Sequence, residues 1–421
     1  MDLLHIGNRI RKIRMLKGFS REYVYTGIVS NSHFSNIEKG RYQPPTETLR
    51  LMAKRLDVPS HYLTDFYEDD SEIVEVIECI ESYIKKHQFQ QAQSIFNKYQ
   101  EKLTYVSSVW QELNLNLLRF DVYANLHQND EAKKLFEREL QGIIDLQDVP
   151  PELQYKYLKI CGTYFFMQKD YEQSLLHYQQ ALNSSYAVAD QIPVRYNLAL
   201  CYYQLGNIEK ACNSLNKVLH YELRIQNWIA AIHSYNLFGA LFQKEKDYQQ
   251  AQSYYQYGIA LSELIQLKEV LIIGKLYHNL GLVYFEQENY EEAEKMLLHC
   301  LELRKDAPQV DKVKTIYLLI NIYIKQGSLN RADDKLEQYK AVIPNSLVIF
   351  SQAKIAYAQQ NYDDFEQYIL QAMRLFEEEK EDVYLVEALE YYIPYLEEKR
   401  KYKQAYELLK RYHYIKNKGV M

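Results

Sequence analysis

The chain has 421 residues, few Gly (13) and Pro (9), and 41 Tyr, which excludes one small core and points to an all-α protein of two or more units. The net charge of -6 is uneven: residues 1–65 carry 11 Lys+Arg against 6 Asp+Glu, a net of +5, so the remainder carries 39 against 50, a net of -11. A basic head on an acidic body leaves only the head suited to a polyanion, and no apolar stretch approaches the roughly 20 residues of a membrane helix.

Cys79, Cys161, Cys201, Cys212 and Cys300 form no C-x-x-C pair, and read as buried thiols in a reducing cytosol. Arg9, Arg11, Lys12 and Arg14 interrupt the N-terminal apolar runs, so no signal peptide is expected and a cytoplasmic location is.

In chain order, Ile6, Ile10, Ile13 and Leu16 recur at helical spacing, and Gly18 ends that helix. Ser20 is placed to cap a second helix with Tyr23 and Val24 on its core face, and Ser30 to cap a third after the break at Gly27. Phe34 and Ile37 face inward from the third helix, which turns Asn31, Ser32, His33 and Asn36 outward before Gly40 closes it. Thr46 is expected to cap a fourth, amphipathic helix, and Pro59 to open a fifth. This is a helix-turn-helix with supporting helices. Its outward residues are of the kind that read base edges in a major groove, and Arg21, Lys39 and Arg41 flank them as phosphate contacts. The alternative is a solvated surface helix.

The pattern from Ser20 to Val58, with "GIVSNSHFSNIEKG" at its centre, resembles the Xre/Cro-type helix-turn-helix over about the first 65 residues. The resemblance implies that Glu38 is structural and pairs with an arginine of the first helix, Arg14. Where the family has Gln, this chain has Arg21, which leaves the contact made there open.

After the acidic linker at residues 66–71 the sequence repeats itself. A small residue marks each repeat at Ala92, Ala132, Ser174, Ala211, Ala251, Ala293, Ala332 and Ala405, with Phe365 as the departure. Four residues after each marker is a large apolar side chain, and twelve before are small ones such as Gly162, Ala199, Gly239, Gly281 and Ala353. Small residues let two helices cross closely while the large ones fill the space between neighbours. Residues 72–421 thus resemble tetratricopeptide repeats, about nine helix pairs forming a right-handed superhelix.

That resemblance implies a concave wall lined by the first helix of each pair. Its inward positions are Lys159 and Thr163, Tyr196 and Asn197, Asn236, His278 and Asn279, then Tyr317 and Asn321. Asn is a poor helix-interior residue, but its amide can pair with any peptide unit. Asn197, Asn236, Asn279 and Asn321 are therefore candidates to clamp an extended peptide, with a hydrated wall as the alternative. Arg119 sits in the mostly apolar "LNLNLLRFDVY" near Asp121. It needs an anion, either internal or on a ligand; with Lys159 it is a candidate for a peptide carboxylate.

No Walker loop, G-x-S-x-G elbow, H-E-x-x-H pair or G-x-G-x-x-G fingerprint occurs, so no enzyme, cofactor or metal site is expected. A Cro-type head before tetratricopeptide repeats resembles the RNPP family of quorum-sensing regulators, most like its NprR branch. The resemblance implies a cytosolic transcription regulator that binds operator DNA and a short signalling peptide, as a homodimer or higher homo-oligomer. Phe365 and the irregular C-terminal repeats are the candidates for the dimer contact. A Rap-like scaffold that sequesters a phosphorelay response regulator is the alternative.

Overall fold

The computed structural model describes residues 5–141, 146, 149–184 and 187–417, and the chain falls into two compact units, Met1–Val218 and Leu219–Met421. Among the described residues every regular element is a helix. The head has α1 (Ile6–Leu16), α2 (Arg21–Tyr25), α3 (Asn31–Glu38), α4 (Thr46–Leu56) and α5 (His61–Thr64). Ser20 Oγ accepts from Tyr23 N at 3.0 Å and Ser30 Oγ from His33 N at 3.2 Å, so both expected caps form. Two local expectations fail. Pro45, not Thr46, holds the fourth N-cap position, and it supplies no side-chain bond. Tyr23 is exposed while Val24 is buried, because one helical step turns neighbouring side chains about 100° apart.

The head core joins Ile10, Phe34, Ile37, Met52, Leu56 and Leu63. Helices α1 and α3 touch at Gly7, where a Cβ would stand 1.7 Å from the Ile37 carbonyl oxygen. The same core extends through Phe66 to Val109, whose N–H donates to Phe66 O at 2.9 Å. The expected linker is therefore held in place: Gln111 Nε2 donates to Asp70 O at 2.9 Å and its Oε1 accepts from Asp70 N at 3.1 Å.

Among the described residues nine helix pairs follow. In order they are α6 and α7 (Ser71–Lys85, Phe89–Lys98), α8 and α9 (Val109–Asn125, Asn129–Leu135), α10 and α11 (Pro151–Met167, Tyr171–Ser184), and α12 and α13 (Val188–Gln204, Ile208–Arg224). Then come α14 and α15 (Trp228–Lys244, Tyr248–Leu264), α16 and α17 (Val270–Glu286, Tyr290–Leu303), α18 and α19 (Val313–Lys325, Leu329–Tyr339), α20 and α21 (Asn345–Ala358, Tyr362–Glu379), and α22 and α23 (Asp382–Glu398, Tyr402–Asn417). A π turn, Phe136–Leu140, continues α9.

The small markers explain the close pairs. A Cβ added at Gly162 would lie 2.5 Å from the Tyr178 ring, one at Gly239 2.4 Å from Tyr255, and one at Gly281 2.8 Å from Leu297. Phe365, the departure, is fully buried and packs against Tyr357 and Tyr395 at ring distances of 4.9 and 5.0 Å. It cannot supply the dimer contact expected of it. Cys161, Cys201 and Cys300 are buried as expected, but Cys79 is exposed and Cys212 half-buried.

Each pair turns through one left-handed residue: His87, His127, Lys169, Gly206, Lys246, Glu288, Gly327, Gln360 and Arg400, with φ from 55° to 72°. The following N–H reaches back to a carbonyl of the last helical turn, as from Asp247 N to Phe242 O at 2.9 Å and from Asn289 N to Tyr284 O at 2.9 Å. This is the closure of a Schellman motif. The same Asp or Asn then caps the next helix, Asp247 Oδ1 accepting from Gln250 N at 3.1 Å.

Candidate functional site

Helix α3 turns Phe34 and Ile37 into the head core and leaves Asn31, Ser32 and Asn36 exposed beside Lys39 and Arg41. His33 is half-buried, its ring 4.3 Å from that of Tyr42. Glu38 fixes the helix from below: Oε1 accepts from Arg14 Nε at 2.8 Å and Oε2 pairs with Arg21 Nε at 3.0 Å. The expected Arg14 pairing holds, and Arg21 adds a second bond to the same carboxylate while remaining exposed. Arg55 Nη1 donates to Tyr23 O and Thr26 O, both at 2.8 Å, and holds the turn between α2 and α3. The polar face of α3 is thus presented by a braced frame.

Part of the head's positive charge is spent internally. Arg9 is 4% exposed. It donates to Tyr62 O at 2.7 Å, to Ser107 O at 2.6 Å and to Glu112 Oε2 at 2.6 Å, and its guanidinium stacks 4.3 Å from the centre of the Tyr62 ring. Lys12 Nζ reaches Glu112 at 3.2 Å and Glu139 at 2.5 Å. Burial works against the Lys12 charge, but Glu112 and Glu139 outweigh it and raise its pKa. Burial likewise opposes ionisation of Glu112, and Arg9 and Lys12 override it and hold its carboxyl low. These four residues pin α1 to the first repeats. Sequence reading missed the pin, although charged residues flanking the apolar stripe of α1, and Glu112 in a mostly apolar helix, were the available signals.

In the first unit, Lys159 Nζ pairs with Asp121 Oδ2 at 3.0 Å, so Asp121 does not serve Arg119. Residues two apart on a helix face different ways. The Arg119 guanidinium instead lies 4.8 Å over the Phe96 ring, and burial lowers its pKa. Tyr196 and Asn197 are half-buried. Burial pushes the Tyr196 hydroxyl up to about 12, so it stays a neutral donor. Asn197 lies near the Tyr178 hydroxyl, which meets Thr163 Oγ1 at 3.0 Å.

In the second unit, two of the expected clamp residues bond each other: Asn279 Nδ2 donates to Asn236 Oδ1 at 2.8 Å. The pair still offers the Asn236 amide hydrogens and the Asn279 carbonyl oxygen, one kind of group for each half of a peptide unit. His278 Nδ1 lies 3.0 Å from Thr315 Oγ1. Burial, with Arg304 and Lys314 adding to it, drops the His278 pKa to about 4, so the ring is neutral at pH 7.

Tyr317 and Asn321 are placed otherwise than expected. Tyr317 is buried and donates to Glu387 Oε2 at 2.9 Å. Lys354, 1% exposed, donates to Tyr317 Oη at 2.7 Å, Asn321 Oδ1 at 2.6 Å and Glu387 Oε1 at 2.7 Å. Tyr317 therefore does not wall an open pocket, and the Asn321 carbonyl is occupied. Helix α20, which carries Lys354, packs directly on α18 and closes this part of the wall. Among the described residues no group of His, Cys, Asp or Glu is placed to hold a metal ion, and no helix is long and apolar enough to cross a membrane.

Comparison with known proteins places this architecture. Residues 158–411 match the MalT-like TPR region family, and residues 10–63 a helix-turn-helix family. The regulatory protein RapC of Bacillus subtilis (strain 168) is 24% identical over 156 residues, which cover 35% of this chain and 39% of RapC. The apo form of the quorum sensor NprR from B. thuringiensis superposes with a TM-score of 0.61 at 15% identity, covering 82% of this chain and 98% of NprR. The apo form of RapI does so with a TM-score of 0.63 at 16% identity, covering 83% and 97%. A Rap protein complexed with competence and sporulation factor does so with a TM-score of 0.61 at 15% identity, covering 83% and 99%. The chain belongs to the MalT-like tetratricopeptide family, carries a helix-turn-helix head, and has the fold of the RNPP proteins Rap and NprR.

Proposed function

We propose that this protein is a DNA-binding transcription regulator controlled by a short peptide. The observation that carries the reading is the exposed polar face of α3, with Asn31, Ser32 and Asn36 outward, His33 braced on Tyr42, and Lys39 and Arg41 beside them. Amides and imidazoles at such positions read base edges, and the flanking cations meet phosphates. Arg21 contributes as a phosphate contact while its Nε stays on Glu38. The peptide reading rests on the half-satisfied Asn236–Asn279 pair and on the fold shared with NprR and with a Rap protein solved in complex with competence and sporulation factor. Lys159, Tyr196, Asn197 and Arg119 of the first unit, and His278 of the second, remain ligand-contact candidates. A homodimer reading paired half-sites, located in the cytoplasm, completes the proposal.

The test is selection from a random duplex pool by the full-length protein. Recovery of one paired motif is expected. Replacing both His33 and Asn36 by alanine should relax that motif, each lost base contact costing about 1–3 kcal/mol. Failure to enrich any sequence refutes the reading.

The RapC match favours a second reading, a scaffold that grips a phosphorelay response regulator. Capture of such a regulator by a protein that selects no DNA would establish it instead.

A further inference from the structure

Three cations meet at one end of the second unit's repeat wall, and no carboxylate answers them. Lys275 lies three and four residues before His278 and Asn279 and shares their face of α16. Lys314 precedes Thr315, the hydroxyl partner of His278 on α18. Arg304 follows α17 and lies over Gly274, where an added Cβ would stand 2.5 Å from its Nε. Its Nη1 donates to Asp311 O at 2.7 Å and its Nη2 to Leu271 O at 3.3 Å. Both acceptors are backbone carbonyls, which hold the guanidinium in place without cancelling its charge. Lys275 and Lys314 are exposed, and among the described residues neither has an ion-pair or hydrogen-bond partner. The charges are felt locally: although the Lys275 side chain reaches solvent, desolvation by the atoms packed around it, then the Arg304 and Lys314 charges, lower its pKa. Acidic residues are in net excess over residues 66–421, so three unanswered cations clustered there ask for an external anion.

We propose that Lys275 and Lys314 bind a carboxylate of the peptide ligand, with Arg304 as a fixed charge behind them and the Asn236–Asn279 pair taking the ligand's backbone. The inference rests on the peptide-binding reading above. The carboxylate is either the peptide's C-terminus or an Asp or Glu side chain. Charge-assisted hydrogen bonds to it would be the stronger part of the contact.

The experiment uses the full-length protein and two pools of random short peptides, one with free and one with amidated C-termini. Bound peptides are identified by mass spectrometry for wild type, the double variant Lys275→Gln/Lys314→Gln, the matching Lys→Arg variant, and Asn279→Ala. Wild type should enrich carboxylate-bearing peptides. Enrichment confined to the free pool assigns the C-terminus, and enrichment of Asp or Glu in both pools assigns a side chain. The double Gln variant should lose that enrichment by about tenfold or more, as expected for one lost charge-assisted bond. The Arg variant should retain it, and Asn279→Ala should weaken all bound peptides alike. Circular dichroism confirms that the helices persist. If wild type enriches neutral or basic peptides, or the Gln variant keeps the acidic preference, the carboxylate site is wrong while peptide binding stands. If wild type enriches no peptide from either pool, both fall.

Discussion

Arg9 in the first unit and Lys354 in the second are the two cations buried among the described residues, and they are satisfied in different ways. Arg9 belongs to a balanced cluster of two cations and two carboxylates that joins the head to the repeats, with Glu112 lying 103 residues further along the chain. Lys354 faces one carboxylate, Glu387, and relies on Tyr317 and Asn321 for its other bonds. In the first cluster the carboxylates win against burial and Lys12 is raised. In the second, burial wins against Glu387 and Lys354 is lowered. A cation with two anions nearby holds its proton more tightly than a free lysine; a buried cation with one holds it less tightly.

The largest expected effect comes from Glu112→Ala. It strands an arginine that cannot deprotonate, and loss of about 3–5 kcal/mol is expected. Hydrogen exchange of α1 and α8 should show it, and unchanged protection there would remove the pin from the account. Glu387→Ala should cost less, about 2–3 kcal/mol, because Lys354 can neutralise and keeps two neutral acceptors. Denaturation of the two variants side by side tests the order; a reversed order would mean that the second network holds the larger share.

The pH response should separate the same two regions. Glu112 is depressed, so its stabilisation is present above the unfolded value of about 4.3 and is lost as pH falls through its lower folded value. Lys12 is raised, so its contribution holds below about 10.4 and is lost only as pH rises through its folded value. Lys354 is depressed, so the cost of burying its charge fades as pH rises from its folded value towards about 10.4. Between the folded value of Lys354 and that point, exchange protection should rise in α20 and stay flat in α1. Parallel curves would contradict the difference.

The smallest effect should be the same in both units, because the paired turns are local. His127→Gly and Lys246→Gly each relieve a left-handed side chain and should stabilise by about 0.5–1 kcal/mol. Gly206→Ala should cost about as much. Thermal denaturation checks all three, and a gain in one unit alone would show that the turn strain depends on its surroundings.

What could be read from the sequence was whatever short range decides. Ser20 and Ser30 cap helices three residues away, and Gly162 meets Tyr178 within one helix pair, so local patterns exposed them. Spacing also placed Asn236, His278 and Asn279 on a shared wall. It could not place Tyr317 in the core, because that depends on α20 packing over α18 and bringing Lys354 to its hydroxyl. Nor could it show that Asn279 spends its amide on Asn236, or that Asp121 answers Lys159 in place of Arg119. The surplus charge of the head overstated what is open to a polyanion, since Arg9 and Lys12 are neutralised by Glu112 and Glu139.

If the head reads DNA as proposed, the pin between α1 and α8 bears on which sites it can read. A head tethered by a loose string could accommodate many separations between half-sites. Here Phe66, Asp70, Arg9 and Lys12 all fasten the head to α8 or its neighbours, so the head is fixed to the first repeats. In the proposed dimer, an association through these first repeats would set the distance and angle between the two copies of α3. Operator spacing would then be inherited from the repeat region, and a change in repeat contacts far from any base could retune which promoters are read.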